Sequence, residues 1–135
     1  MKSPTEIVNQ MYDKDAYSQW LGIQRIEDAL GKSHLKMQVR DEMCNGFGIA
    51  HGGITYSFAD SALAFASNSH GTKAVSVETS ISHVAPLHAE DWIEAIAIEK
   101  HRSRKIGVYE VQVLKLDGTL IALFKGTVYF TSKAW

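Results

Sequence analysis

Between His51 and Asn68 the chain reads HGGITYSFADSALAFASN, and this stretch constrains the fold more than any other. From Gly53 to Asn68 no proline interrupts it, and Gly71 stands where a helix commonly ends. Sixteen residues at about 1.5 Å each give a helix roughly 24 Å long. Ile54, Phe58, Leu63, Phe65 and several alanines are spread around most of its circumference, so one packed face is not enough. A helix of this kind has to be wrapped by protein on several sides. Its one formal charge is Asp60. An ionised carboxylate away from water is costly unless it is hydrogen-bonded, paired or protonated, so Asp60 asks for a structural partner or a chemical task.

The wrapping material is legible on both sides of the helix. Ser3, Pro4 and Glu6 suit a helix start, and Ile7, Val8 and Met11 give that helix one apolar side before Asp13 to Asp15 interrupt it. A turn is expected near Ala16 to Trp20. Two strands follow, Gly22 to Glu27 and Lys32 to Arg40, joined through Ala29, Leu30 and Gly31; Leu35, Met37 and Val39 alternate with polar residues, as in a half-buried hairpin. After the long helix come four runs rich in Val, Ile, Thr and aromatics: Ala74 to His83, Asp91 to Arg102, Ile106 to Leu116 and Leu120 to Thr131. The last three read as an antiparallel meander, turning at Arg104 to Gly107 and at Asp117-Gly118. The expected class is α+β, with a six-stranded antiparallel sheet curled around one long central helix, which is the hotdog fold.

At 135 residues one domain is expected, spanning 1–135. Fourteen basic and fifteen acidic residues are mixed along the chain, giving a formal charge of -1 and no reason to expect a broad nucleic-acid or anionic-membrane footprint. The opening MKSPTEIVNQMYDKD has no long apolar run behind its lysine, so neither a signal peptide nor a membrane-spanning helix is expected. The expected address is the cytoplasm. One cysteine, Cys44, permits no intrachain disulfide, which fits that compartment.

His51-Gly52-Gly53 stands where the long helix begins. The first turn of a helix carries unpaired N–H groups and the positive end of the macrodipole, so it can hold an anion or a developing oxyanion. Glycines let a substrate come close to that backbone. An oxyanion site together with a carboxylate that activates water, or attacks directly, is the minimum kit for acyl transfer such as thioester hydrolysis. Gly52 and Asp60, however, are eight residues apart, about 12 Å along one helix, and both have to reach one carbonyl group. Two copies packed with these helices antiparallel would solve this, each site taking Gly52 from one subunit and Asp60 from the other.

Several motifs in order, MYDKDAYSQWLGI, NGFGIAHGG, FADSALAFASNSHG, GVYEVQV and IALFKGT, resemble the hotdog-fold acyl-CoA thioesterases of the phenylacetic-acid-degradation (PaaI) type across nearly the whole chain. The most specific element is H-G-G-x6-D, from His51 to Asp60, with Asn45 six residues before the histidine. The resemblance implies that Asp60 is the catalytic carboxylate, as general base or nucleophile, and that Gly52 donates its N–H to the thioester oxygen. Asn45, His51 and Gly53 are implied to line the same site. It further implies a homodimer through the central helix, commonly paired into a homotetramer. The implied substrates are coenzyme A thioesters of phenylacetate and hydroxylated relatives, with no metal or other cofactor. Where relatives often carry F-L-R-P before G-D, this chain has His83-Val84-Ala85-Pro86 before Glu90-Asp91, so a phosphate contact from an arginine there is missing.

Other residues admit simpler roles. Asp60 could bond Ser57, Ser61 or a partner subunit, His51 could cap the helix, and Asn45 could shape a turn with Gly46. Cys44 has no cationic neighbour by spacing to activate it, and His83, His88 and His101 lack the companions of a metal site. Arg102, Arg104 and Lys105 at a hairpin tip could meet coenzyme A phosphates or simply face water. An apolar acyl pocket is expected to draw on Phe47, Ile49 or Phe65. Two other functions use a similar kit. A hydratase or dehydratase would need His51 at the substrate's α- or β-carbon, and a binding module would hold acyl-CoA without turnover.

Overall fold

The computed structural model describes residues 1–135. Helix α1 (Pro4–Tyr12) starts with Ser3 and Glu6 in a reciprocal cap: Ser3 Oγ accepts the Glu6 N–H at 3.2 Å, and Glu6 takes the Ser3 N–H at 3.4 Å. Its apolar side, Ile7 and Val8, is buried. The turn expected near Ala16 to Trp20 is instead a second helix, α2 (Ala16–Leu21). Asp15 makes it so. Its carboxylate accepts the Ser18 N–H at 2.9 Å and the Ser18 hydroxyl at 2.6 Å, and Gly22 ends the helix at φ 74°, a conformation suited to glycine.

Six strands follow: β1 (Gln24–Ala29), β2 (Lys32–Gln38), β3 (Thr72–His83), β4 (Trp92–Arg102), β5 (Ile106–Lys115) and β6 (Leu120–Ala134). They form one antiparallel sheet in the order β1-β2-β4-β5-β6-β3. The expected meander is present as β4-β5-β6. The long helix α3 (Gly52–Asn68) lies between β2 and β3 in sequence and packs on the concave face of the sheet. Phe58, Ala59, Ala62, Leu63, Phe65 and Ala66 from α3 meet Leu35, Met37, Ile93, Ala95, Tyr109, Val111 and Phe124 from the sheet, all buried. Close contact of α3 with β6 depends on Gly126. A Cβ there would run into Leu63 Cδ2, closer than packed atoms allow.

The wrapping of α3 is incomplete. Gly53, Tyr56, Ser57, Asp60 and Ala64 retain exposure while their neighbours are buried, and they recur every three or four residues along one side. That open stripe runs beside β3, the sheet edge, which pairs only with β6 and leaves Val75 and Val77 exposed. The other edge, β1, is short, bulged between Arg25 and Glu27 and charged, with an Arg25–Asp28 ion pair at 2.7 Å. Such features discourage further strand pairing, whereas β3, though bulged and carrying Lys73 and Glu78, is twelve residues long and exposes Val75 and Val77 along its free edge.

Candidate active site

The start of α3 is built by a loop that crosses beneath it. Asn45 accepts the N–H groups of Phe47 (2.9 Å) and Ile49 (3.4 Å) on its Oδ1, and the Cys44–Ala50 bridge closes that loop. Ala50 N–H then donates to Leu87 O, and His51 N–H to Met43 O, both at 2.8 Å. His51 is the N-cap: its Nδ1 accepts the Gly53 N–H at 2.9 Å, which leaves the ring proton on Nε2. The Gly52 N–H finds no acceptor in the chain. It opens into a cleft of about 350 Å³ lined by Asn45, Ile49, Ala50, Thr55, His83 and the Val84–Leu87 segment. A free backbone donor at a helix N-terminus, facing a mostly apolar cleft, is a site for a partly negative oxygen.

Asp60 lies two turns further along. Neither serine that could have held it does so. Ser57 donates to Gly53 O at 2.7 Å and receives the Tyr17 hydroxyl at 3.0 Å, while Ser61 pairs with Ser18 Oγ at 2.8 Å. Asp60 instead borders a small cavity of about 60 Å³ with Leu63, Ala64, Ser67, Ala74, Ser76 and Val128, space enough for a few water molecules. Burial, reinforced by the negative charge of Asp15, raises its carboxyl above the usual Asp value. A raised pKa makes a carboxylate a better proton acceptor.

The structure brings some of the candidate residues together and separates others. Asn45 and Gly52 share the cleft, but His51 and Gly53 face a neighbouring groove with Tyr17, Glu42, Met43, Cys44 and Ser57. Phe65 is 1% exposed and packs edge-on against Tyr12, so it belongs to the core and lines no cleft of this chain. Phe47 is 89% exposed at the loop tip and walls nothing within one subunit, whereas Ile49 does line the Gly52 cleft. Arg102, Arg104 and Lys105 sit on the β4–β5 hairpin near the opposite end of α3, where Glu99 meets His70 at 2.9 Å. Within one subunit they do not reach Gly52. There Arg102 lies over Phe130 and Lys105 over Tyr129. His83 and Ser76 were not among the candidates. Both lie on β3, whose side-chain directions depend on a bulge between Ser76 and Glu78 that no residue pattern announces.

Residues 47–122 match the Thioesterase superfamily. The chain belongs to it. The acyl-coenzyme A thioesterase PaaI of Escherichia coli (strain K12) is 36% identical over 116 residues, covering 86% of this chain and 83% of that protein. The solved structure of the E. coli PaaI protein from the phenylacetic acid degradation operon superposes with a TM-score of 0.95 at 32% identity, over 97% of this chain and 95% of the other. A variant of phenylacetic acid degradation protein PaaI from Thermus thermophilus superposes at 0.84 with 38% identity, over 87% of this chain and all of the other (100%). The expected hotdog fold and PaaI-type membership both hold, and the protein is an acyl-CoA thioesterase, a thioester hydrolase. No helix of this thioesterase is long and apolar enough to cross a membrane.

Proposed function

We propose that this thioesterase hydrolyses small aromatic acyl-CoA thioesters, of the phenylacetyl or hydroxyphenylacetyl kind, with Asp60 of one subunit working opposite Gly52 of the other. The observation that carries the mechanism is the pair of unengaged groups on one helix: the Gly52 N–H, without an acceptor, and the Asp60 carboxylate, without a donor. They are too far apart in one chain to act on one carbonyl. A second copy laid along the free β3 edge brings its open α3 stripe antiparallel to the first, so that Asp60 of each faces Gly52 of the other. The same contact covers Val75 and Val77. The aromatic acyl group is supported by the names of the PaaI relatives and by the mainly apolar Gly52 cleft.

In this reading the thioester carbonyl accepts a hydrogen bond from the Gly52 N–H. Water attacks the carbonyl carbon and gives its proton to Asp60, and the electron pair of the C=O bond moves onto oxygen. The oxyanion re-forms the carbonyl, the C–S bond breaks, and the coenzyme A thiolate leaves and takes the proton from Asp60. Direct attack by Asp60 through a mixed anhydride uses the same two groups. A hydratase reading is disfavoured because His51, capping the helix through Nδ1, faces the neighbouring groove and not the Gly52 cleft.

The test is thiol release from phenylacetyl-, hydroxyphenylacetyl-, benzoyl- and short aliphatic CoA thioesters by the wild-type protein and by Asp60→Ala. Aromatic thioesters are expected to turn over fastest, and Asp60→Ala to lose at least about a hundredfold in kcat while keeping its oligomeric state. Equal rates in the two proteins would overturn the role of Asp60. Faster turnover of the aliphatic thioesters would overturn the aromatic specificity.

A further inference from the structure

We propose that His83 is a catalytic residue of this thioesterase, donating from Nε2 a second hydrogen bond, beside that of the Gly52 N–H, to the thioester oxygen as it becomes an oxyanion. The proposal rests on the reading of Gly52 as the first donor. The thioesterase has six histidines. His34, His70 and His88 face carboxylates, His51 caps α3, and His101 is exposed on β4. His83 is exposed too and has no such partner, but it lines the Gly52 cleft, where it is the one ionisable side chain.

Its placement over Gly52 is tight. Apart from its own chain neighbours and helix backbone, the three atoms nearest a Cβ built on Gly52 all belong to this imidazole, Nε2 at 3.2 Å, Cε1 at 3.5 Å and Cδ2 at 3.9 Å. A residue's own nitrogen lies about 2.5 Å from its Cβ position, so the two donor nitrogens are at most about 5.7 Å apart. Two hydrogen bonds of about 2.9 Å to one oxygen can span about 5.8 Å, so a single oxygen between them can accept from both. The space it needs is the space that the missing side chain of Gly52 leaves open.

The backbone holds His83 at the mouth of that cleft. His83 is the last residue of β3, paired with Ala122, and just beyond it the N–H groups of Val84 and Ala85 both donate to Ile121 O, at 2.9 and 3.3 Å. The cleft holds two other side-chain donors, neither of them shown against Gly52 as His83 is. Asn45 is oriented by the two N–H groups on its Oδ1, and Thr55 is 3% exposed one turn inside the helix. In the reaction His83 keeps its proton. It stabilises the charge that forms while the proton from water goes to Asp60, so nothing is transferred to or from the ring.

Two measurements test this. His83→Phe keeps a ring but removes the donor, and is expected to lower kcat about ten- to a hundredfold with KM raised several-fold at most, somewhat less than a fully buried oxyanion donor provides. His83→Gln keeps an N–H and is expected to retain most of the rate. The second measurement needs no turnover. Wild type and His83→Phe are titrated with two inert coenzyme A analogues, a ketone in which methylene replaces the thioester sulfur and a thioether that lacks the carbonyl. The wild-type preference for the ketone is expected to fall several-fold in His83→Phe, with thioether binding unchanged. Wild-type kcat in His83→Phe with an unchanged preference overturns the proposal. Absence of thiol release from the wild-type protein overturns the hydrolysis reading instead, and the ketone preference still decides whether His83 touches the carbonyl oxygen.

Discussion

The two ends of helix α3 are finished in opposite ways. At the C-terminal end the buried polar groups are answered, with the Ser33 hydroxyl as the one exception. Asn68 accepts the Ala74 N–H at 2.9 Å and the Trp135 indole N–H at 2.8 Å, and donates back to Ala64 O at 2.9 Å. Ser69 Oγ receives the Gly31 N–H at 2.8 Å, while Glu99 takes both the Tyr109 hydroxyl at 2.6 Å and His70 Nε2 at 2.9 Å. Burial and the hydrogen bond to Glu99 together hold the Tyr109 phenol well above its ordinary pKa. At the N-terminal end the Gly52 N–H, the His83 ring and, two turns on, the Asp60 carboxylate are left without partners in the chain. Satisfied polar groups fix a fold, whereas unsatisfied ones facing a cleft are available for a substrate. The contrast separates what holds this thioesterase together from what it works with.

Removing the backbone donor should break the N-terminal end most severely. Proline is tolerated at the first helical position, so Gly52→Pro deletes the N–H and also places a ring in the space beside His83 Nε2 that the carbonyl oxygen needs, removing both parts of that oxyanion site at once. A loss of about 10²- to 10³-fold in kcat is expected, about 2.7–4 kcal/mol of transition-state stabilisation. Co-refolding Gly52→Pro with Asp60→Ala sharpens the result. If each site joins Gly52 of one subunit to Asp60 of the other, the mixed dimer carries one intact site, and a random mixture should regain about a quarter of wild-type activity. No regain above the two parents, with subunit mixing verified, would mean that each site lies within one subunit.

The C-terminal end should respond in stability and not in rate. Asn68→Ala leaves the Ala74 N–H and the Trp135 indole without their acceptor in a buried setting, and about 1–3 kcal/mol of unfolding free energy should be lost. Urea unfolding reads the stability, and thiol release at saturating substrate should stay within about twofold of wild type. A large fall in kcat with unchanged stability would erase the contrast between the two ends.

Much of this arrangement could be read from residue order alone. The all-round apolar character of α3 required a wrapping sheet, and the alternation of Leu35, Met37 and Val39 marked a half-buried strand. The eight-residue separation of Gly52 and Asp60 is the sequence's argument for two copies, which the co-refolding experiment puts to the test. The second helix was written in Asp15 and Gly22, a cap at each end of a six-residue segment too short to show a periodic face. His83 and Ser76 were not legible. Which way a residue of β3 points depends on its register with β6 and on the bulge after Ser76, both set by contacts some fifty residues away in the chain. Phe65 misled for the opposite reason. Its place on α3 was evident, but whether that side of the helix meets the sheet or a substrate depends on how the sheet curls.

The smallest expected effect concerns the cost of keeping Asp60 charged. Burial, with Asp15 second, raises its folded-state pKa above the ordinary value, so the native state binds that proton more tightly than the unfolded chain does. By linkage this destabilises the fold. The cost is fully present above the folded-state pKa, shrinks as pH falls through it, and is gone below the unfolded value. Asp60→Asn removes the charge and keeps the shape, so it should unfold at slightly higher urea than wild type at pH 8. The gain should be no more than ~0.5 kcal/mol, because the carboxylate keeps some exposure and water screens it. The difference should close as pH falls below the ordinary carboxylate range. Both proteins have to be compared at one subunit concentration, since association adds to apparent stability. A less stable Asp60→Asn at pH 8 would mean that the carboxylate is held by a donor across the subunit interface. Asp60 would then belong with Asn68 and Glu99 among the groups that hold the fold, and the N-terminal end of α3 would keep only Gly52 and His83 for chemistry.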